Sequence, residues 1–250
     1  MTPERTIITV DIGNSSSKIA VFEGERLIQS AVGRFPSSHN LLEAVSSMLT
    51  FNSADGAAIC SVAGDCGELR RSLESDFGLP VVVLDAATPL PIEINYNSRD
   101  SLGSDRVAAA VGVYARSVSS LIVDAGTAVT SDIVDGCRFI GGNISPGLRL
   151  RFRSLCEHTA KLPFVEAEGP LPEFGYDTLT AVRCGVVRGL VDQIAADFRR
   201  AAKSFGVSRL ILTGGDALFL ASLLRKEGLS VDVDSEAVGR GLVRIFNFLS

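Results

Sequence analysis

The stretch Asp11-Ile12-Gly13-Asn14-Ser15-Ser16-Ser17-Lys18 gathers an acid, a permissive glycine, small polar donors and a cation directly after an apolar run. Gly13 allows backbone N–H groups to approach a ligand closely. Asn14 and the three serines add donors, and Lys18 adds a positive charge. Such a set can cradle phosphates, and Asp11 can hold a hydrated Mg²⁺. An ordinary β-hairpin turn uses the same residue types. A second Asp-x-Gly follows another apolar run, at Asp124-Ala125-Gly126-Thr127. Two such loops facing each other can clamp a triphosphate. A third point of chemistry is Asp105 beside Arg106. That pair reads either as an ion pair at a helix start, with the arginine holding the acid's pKa down, or as a proton acceptor next to a guanidinium that takes a carboxylate in a bidentate grip.

These residues need elements to position them. Thr6 to Val10 is a β-branched run and predicts a strand; Ile19–Phe22 and Arg26–Ile28 predict two more around a Glu23-Gly24-Glu25 turn. Apolar residues at 41, 42, 45, 48 and 49 predict a helix over 40–49, with Asn40 as its N-cap. Ala57–Val62 and Val81–Leu84 read as strands around a helix from Gly67 to Phe77, stopped by Gly78 and Pro80. The pattern restarts with strands at Leu121–Val123, Val129–Val134 and Arg138–Ile140. It continues with a helix over 178–203, a strand at Arg209–Leu212 and helices over 217–226 and 236–249. Strands alternating with helices imply a partly parallel sheet covered by helices.

The restart is an internal repeat. ITVDIGNSSSKIAVFEGERLI and LIVDAGTAVTSDIVDGCRFIG each give an apolar strand, Asp-x-Gly, a β-rich stretch, an acid-Gly turn and another strand. The two aspartates lie nearly half the chain apart. The expectation is two similar α/β domains, 1–116 and 117–250, with a cleft between them.

Composition excludes other classes. The chain has 250 residues, 46% apolar and 21% charged, which suits a globular protein rather than a disordered or coiled-coil one. A formal net charge of −5 provides no basic field for nucleic acid or anionic membrane. No apolar run is long enough to span a bilayer, and MTPERTIITVDIG lacks the apolar core of a signal peptide. Five cysteines without a CxxC pair predict reduced thiols in the cytoplasm, and two distant histidines argue against zinc. The cluster Arg149, Arg151, Arg153 reads as a solvated helix face.

The paired loops resemble those of the acetate and sugar kinase, heat-shock-70 and actin superfamily, whose duplicated ribonuclease H-like (actin-like ATPase) domains each begin with a phosphate-binding hairpin. Thr213-Gly214-Gly215-Asp216 resembles its adenosine loop, although a plain strand–turn–helix connection would also use glycines. Leu102-Gly103-Ser104-Asp105-Arg106 with Tyr96 before it, VDAGTAVTSDIVDG followed by GGNISPG, and TAKLP followed by Gly175…Thr178 together resemble the type III pantothenate kinases. That resemblance implies ATP-dependent phosphorylation of pantothenate, the first step of coenzyme A synthesis, with Mg²⁺ and a monovalent cation, K⁺ or NH₄⁺. It implies ATP contacts from Asp11, Ile12, Gly13, Asn14, Ser15, Ser16, Ser17, Lys18 and Thr127. It implies pantothenate contacts from Tyr96, Gly103, Ser104, Asp105, Arg106 and Thr178, with Asp105 as general base and Asp124 as the cation ligand. It also implies a cytoplasmic homodimer with the substrate site near the interface. Two positions depart from the pattern: Ser98-Arg99 stands where Asn-Pro is usual, and Ser15 where Thr is common. Two alternatives stay open, another sugar or acid kinase of the superfamily and a nucleotide-dependent regulatory protein.

Overall fold

The computed structural model describes residues 4–35, 37–51 and 53–250. The described residues divide into two compact units. The first comprises the chain through Tyr114 together with Cys137–Phe139 and Glu236–Ser250; the second comprises Ala115–Gly136 and Ile140–Ser235.

The first unit is built on a five-stranded sheet from β1 (Thr6–Ile12), β2 (Ser17–Glu23), β3 (Arg26–Gly33), β4 (Gly56–Ser61) and β5 (Val81–Val83). Their order is β3-β2-β1-β4-β5. β1 and β2 pair antiparallel with Asp11 opposite Lys18, while β4 lies parallel to β1 with Cys60 opposite Asp11. Alternation decides the two faces. Ile8, Val10, Ile19, Val21 and Ile59 pack against Leu41, Val45, Met48, Leu69 and Leu73 of helices α1 (Ser38–Phe51) and α2 (Gly67–Ser75). The opposite face carries α3 (Ser104–Val113) and α7 (Ala237–Leu249), and a Cβ at Gly239 of α7 would stand 2.8 Å from the Phe22 ring. These two helices touch backbone to backbone. A Cβ at Gly112 would lie 1.8 Å from the Ala237 carbonyl oxygen, and one at Gly241 would lie 1.8 Å from that of Ala108. A two-residue strand, β6 (Glu93–Ile94), pairs parallel with Arg138 and Phe139 at the start of β9 (Arg138–Pro146).

The second unit repeats the plan. β7 (Ser119–Ala125) and β8 (Ala128–Asp135) form an antiparallel hairpin with Asp124 opposite Thr130. β10 (Arg209–Thr213) lies parallel to β7, and β11 (Asp232–Val233) lies parallel to β10. With β9 beside β8, the order β9-β8-β7-β10-β11 matches β3-β2-β1-β4-β5 strand for strand. Its core joins β7 and β10 to α4 (Leu148–His158), α5 (Thr178–Phe205) and α6 (Ala217–Lys226) through Leu121, Val123, Phe152, Leu190, Ile194, Leu210, Leu212 and Leu220. Asp177 opens α5 with a capping box. Its side chain accepts the Thr180 amide at 2.7 Å, which satisfies donors that the first turn would otherwise leave open. Gly206 closes α5 in the left-handed region at φ 63°.

Some boundaries differ from the sequence expectation. α1 begins at Ser38, so Asn40 is inside it; the Ser37 hydroxyl accepts the Asn40 amide at 3.2 Å and does the capping. β3 and β9 run several residues past their predicted ends. Arg151 is partly buried, donating from Nε to the Pro146 carbonyl at 2.8 Å and from Nη2 to Ser145 Oγ at 3.2 Å, so only Arg149 and Arg153 fit the solvated face.

Candidate active site

The first loop sits in the first unit at the β1–β2 turn. The Gly13 amide donates to the Ser16 carbonyl at 3.1 Å, and a Cβ at Gly13 would stand 2.9 Å from that oxygen, so the tight turn requires glycine there. Arg34 Nε donates to the Ser15 carbonyl at 3.2 Å and steadies the turn from β3's far end. The loop lines one side of a cavity of about 580 Å³ that Arg34, Phe35, Gly64, Cys66 and Leu69 also line.

Asp11 and Lys18 are cross-strand neighbours just below this turn. Burial dominates Asp11: it pushes the carboxyl up from 3.8 to about 6, the charge of Asp105 adds to the rise, and the Cys60 thiol and Lys18 oppose it. The Cys60 Sγ–H donates to Asp11 Oδ1 at 3.3 Å. Burial and the facing acids push the Cys60 thiol well up in turn, which keeps it a protonated donor. Lys18 Nζ lies 2.7 Å from Glu236 Oε1, at the N-cap of α7, with both side chains mostly buried.

Asp105 occupies the first turn of α3. Its Oδ1 accepts the Arg106 amide at 2.8 Å. A Cβ at Gly103 would fall 2.5 Å from that same oxygen, so Gly103 makes room for the carboxylate's conformation. Ser104 Oγ donates to the Ser61 carbonyl at 3.1 Å and ties the helix start to the end of β4. Burial raises the Asp105 pKa; the Arg106 amide and the Arg106 charge oppose that and lose. The reading in which arginine holds this acid down is therefore corrected, because desolvation outweighs the neighbouring charge. Arg106 is itself buried, at 6% exposure. Its Cζ lies 5.8 Å from the Tyr96 ring centre and 5.7 Å from that of Phe139, and the two rings meet edge to face at 6.0 Å. Asp11, Lys18, Tyr96 and Gly103–Arg106 thus all fall in the first unit.

Asp124, Thr127 and Thr178 belong to the second unit. The Asp124 loop is held by its neighbours in that unit. The Gly126 amide donates to Ala128, the Gly147 amide to the Thr127 carbonyl at 3.0 Å, and the Asp216 amide to the Ala125 carbonyl at 2.9 Å. Gly214, at φ 89°, passes so near that a Cβ there would lie 2.4 Å from Asp124 Oδ1. GGNISPG and TGGD thus each brace the second loop. Asp216, at the foot of α6, has its pKa raised by burial and by Glu168. Thr178 is exposed at the first position of α5.

Sequence reading did not find Glu236, Cys60, Arg34 or Phe139. Lys18 and Glu236 are 218 residues apart, and no local spacing links them. Cys60 follows from register alone, and the predicted β1 and β4 carried that information only once their pairing was known.

Asp11, with its ionised form destabilised by burial and a second acid nearby, suits a hydrated divalent ion. Asp124 Oδ1 lies so close to Gly214 that any side chain at 214 would crowd the carboxylate.

The family model for type III pantothenate kinase matches residues 7–200. The chain is 34% identical to the type III pantothenate kinase of Bacteroides fragilis over 244 residues, covering 96% of this chain and 97% of that one. It is 32% identical to that of Porphyromonas gingivalis over 247 residues, covering 96% and 98%. Among solved structures, a ROK family glucokinase of Streptomyces griseus superposes with a TM-score of 0.56 at 15% identity, covering 97% and 98%. A ROK hexokinase of Thermus thermophilus superposes with a TM-score of 0.51 at 17% identity, covering 98% and 100%. These structural likenesses show the duplicated actin-like ATPase fold that the matching strand orders display. Family model, near full-length identity and motif order agree, and the chain belongs to the type III pantothenate kinases.

Proposed function

We propose that the chain transfers the γ-phosphoryl group of ATP to the primary hydroxyl of pantothenate through the residues described above. The observation that carries the reading is Asp105 at the foot of α3, a desolvated carboxylate flanked by Arg106 and close enough to Asp11 to raise its pKa. A loose phosphoryl-transfer transition state asks mainly for alignment and charge neutralisation. Asp105 accepts the hydroxyl proton as the bond to phosphorus forms. Arg106 holds the pantothenate carboxylate, with Tyr96, Gly103, Ser104 and Thr178 completing the substrate contacts. The backbone and hydroxyls of Gly13–Ser17 take the phosphate oxygens, Lys18 supplies the cation and Thr127 adds a further ATP contact. Asp11 would hold the hydrated Mg²⁺ and Asp124 the K⁺ or NH₄⁺, and these ions supply positive charge to the phosphates.

We further propose a homodimer in the cytoplasm, with the chain first leaving its N-terminal domain near residue 116, and no nucleic-acid or membrane partner. No helix among the described residues is long and apolar enough to cross a membrane. A coupled assay of ATP consumption across pantothenate and common sugars tests the reading. Turnover with pantothenate alone is expected, and turnover with a sugar instead transfers the proposal to the sugar-kinase alternative.

A further inference from the structure

Arg151 sits where a cation is unfavourable. It lies near the start of α4, whose first turn carries no acid, and the amide end of a helix disfavours positive charge. The residue is half-buried, and burial pulls its pKa below the usual arginine value. Among the described residues its side chain meets neutral acceptors only. Nε donates to the Pro146 carbonyl at 2.8 Å, and Nη2 donates to Ser145 Oγ at 3.2 Å and to Gln193 Oε1. Gln193, from α5, donates in turn from Nε2 to Ser145 Oγ at 3.0 Å. Ser145 and Pro146 end β9, so that end is gripped from two helices at once. The next residue, Gly147, meets the second Asp-x-Gly loop. Its amide donates to the Thr127 carbonyl at 3.0 Å, and a Cβ on it would stand 2.1 Å from the Gly126 carbonyl oxygen. Strand end and loop therefore touch backbone to backbone, and a shift of one moves the other. All of these residues belong to the second unit.

We propose that Arg151 is a positioning residue for the nucleotide, holding Thr127 in place through the segment Ser145–Gly147. The inference rests on the reading of Thr127 as an ATP contact. One edge of a planar guanidinium fixes two successive residues in direction as well as distance, which the point charge of a lysine does not. Arg151 thereby acts on ATP binding without touching ATP, and it leaves the pantothenate segment in the first unit alone.

The test is steady-state kinetics and direct titration with Mg-ATP of Arg151→Met, which keeps the apolar stem and removes the fork, and of Arg151→Lys, which keeps the charge. Hydrogen bonds from a charged donor are strong enough that Arg151→Met should raise both KM and Kd for ATP about tenfold, with KM for pantothenate within about twofold. Arg151→Lys, which reaches one acceptor at a time, should fall between wild type and Arg151→Met. Ser145→Ala removes a single oxygen from the same junction, so it carries the test if Arg151→Met unfolds, and it should raise the ATP values about threefold. Combined with Arg151→Met, its effect should be far less than additive, because both act through one segment. A folded Arg151→Met that melts lower but binds ATP as wild type does, a parallel rise in both KM values, or additive effects in the cycle would each overturn the inference. Thr127→Ala separates that failure from failure of the reading beneath it. If Thr127→Ala weakens ATP binding while Arg151→Met and Ser145→Ala do not, only the inference falls; if none of the three weakens it, the assignment of Thr127 falls as well. The ATP titration needs no pantothenate, so its result stands whichever acceptor is phosphorylated.

Discussion

Replacing Asp11 with Asn should make the metal-free protein more stable at neutral pH, although it removes a residue placed in the ATP site. The carboxyl is pushed from 3.8 to about 6 by burial, so between those values the unfolded chain ionises while the native one keeps its proton. Stability contributed by the protonated acid is complete below pH 3.8 and is lost as pH rises through about 6. Each pH unit of that interval costs about 1.4 kcal/mol, which accumulates to about 3 kcal/mol by pH 8. Asparagine is nearly isosteric, keeps a carbonyl oxygen to accept the Cys60 thiol, and has no charge to desolvate. Thermal unfolding with EDTA and without nucleotide is the assay. At roughly 2–4 °C per kcal/mol for a chain of this size, Asp11→Asn should melt about 6–12 °C higher at pH 8. The gap should close near pH 4. A gap that stays constant from pH 4 to 8, or a variant that melts lower at pH 8, refutes the idea that this acid is held protonated by its burial.

Other predictions address turnover. Asp105→Asn should keep the fold and the pantothenate Kd while lowering kcat about 10²–10⁴-fold, measured by coupled assay and calorimetry. Because burial raises this acid's pKa, wild-type kcat/KM should fall on the acid side from a pH above the ordinary carboxylate range; a profile flat down to pH 4 opposes the assignment. Lys18→Ala should raise KM for ATP and also lower the melting temperature, since it removes the cation facing Glu236. Adding Glu236→Gln should restore the melting temperature but not ATP binding, and recovery of both would make Lys18 purely structural. Activity should depend on K⁺ or NH₄⁺ against Na⁺ at equal ionic strength, and Asp124→Asn should abolish that dependence together with most activity; equal wild-type rates in the three salts remove the ion site.

How far the sequence reaches can be judged residue by residue. The two Asp-x-Gly hairpins were legible because strand, turn and strand are contiguous, so hydrophobic alternation and turn chemistry suffice. Asp105 was legible as a candidate from its place beside Arg106, with the helix start only one of two readings of that pair. The direction of its pKa was not, because desolvation is a property of the packed fold and the adjacent arginine alone points the other way. Lys18 and Glu236 meet only through tertiary structure, as do Asp11 and Cys60, and no periodicity encodes either pair. The terminal helix was readable as a helix. Its place against α3 was not, because that depends on where Gly112 and Gly241 allow two backbones to meet.

That last contact bears on how the chain acquires its structure during synthesis. Translation delivers the strands and first three helices of the first unit early, yet the face that α3 covers in part lacks the rest of its cover until α7 is made, more than a hundred residues later. The second unit ends at Ser235 and has all its elements before α7 is complete. On a ribosome that releases domains in the order they become complete, the second unit is ready first, and the N-terminal half waits with Ile7, Phe22 and the α3 glycine exposed to solvent. A chain stalled before α7 would therefore present the part of the apolar sheet face around Phe22 to chaperones and proteases.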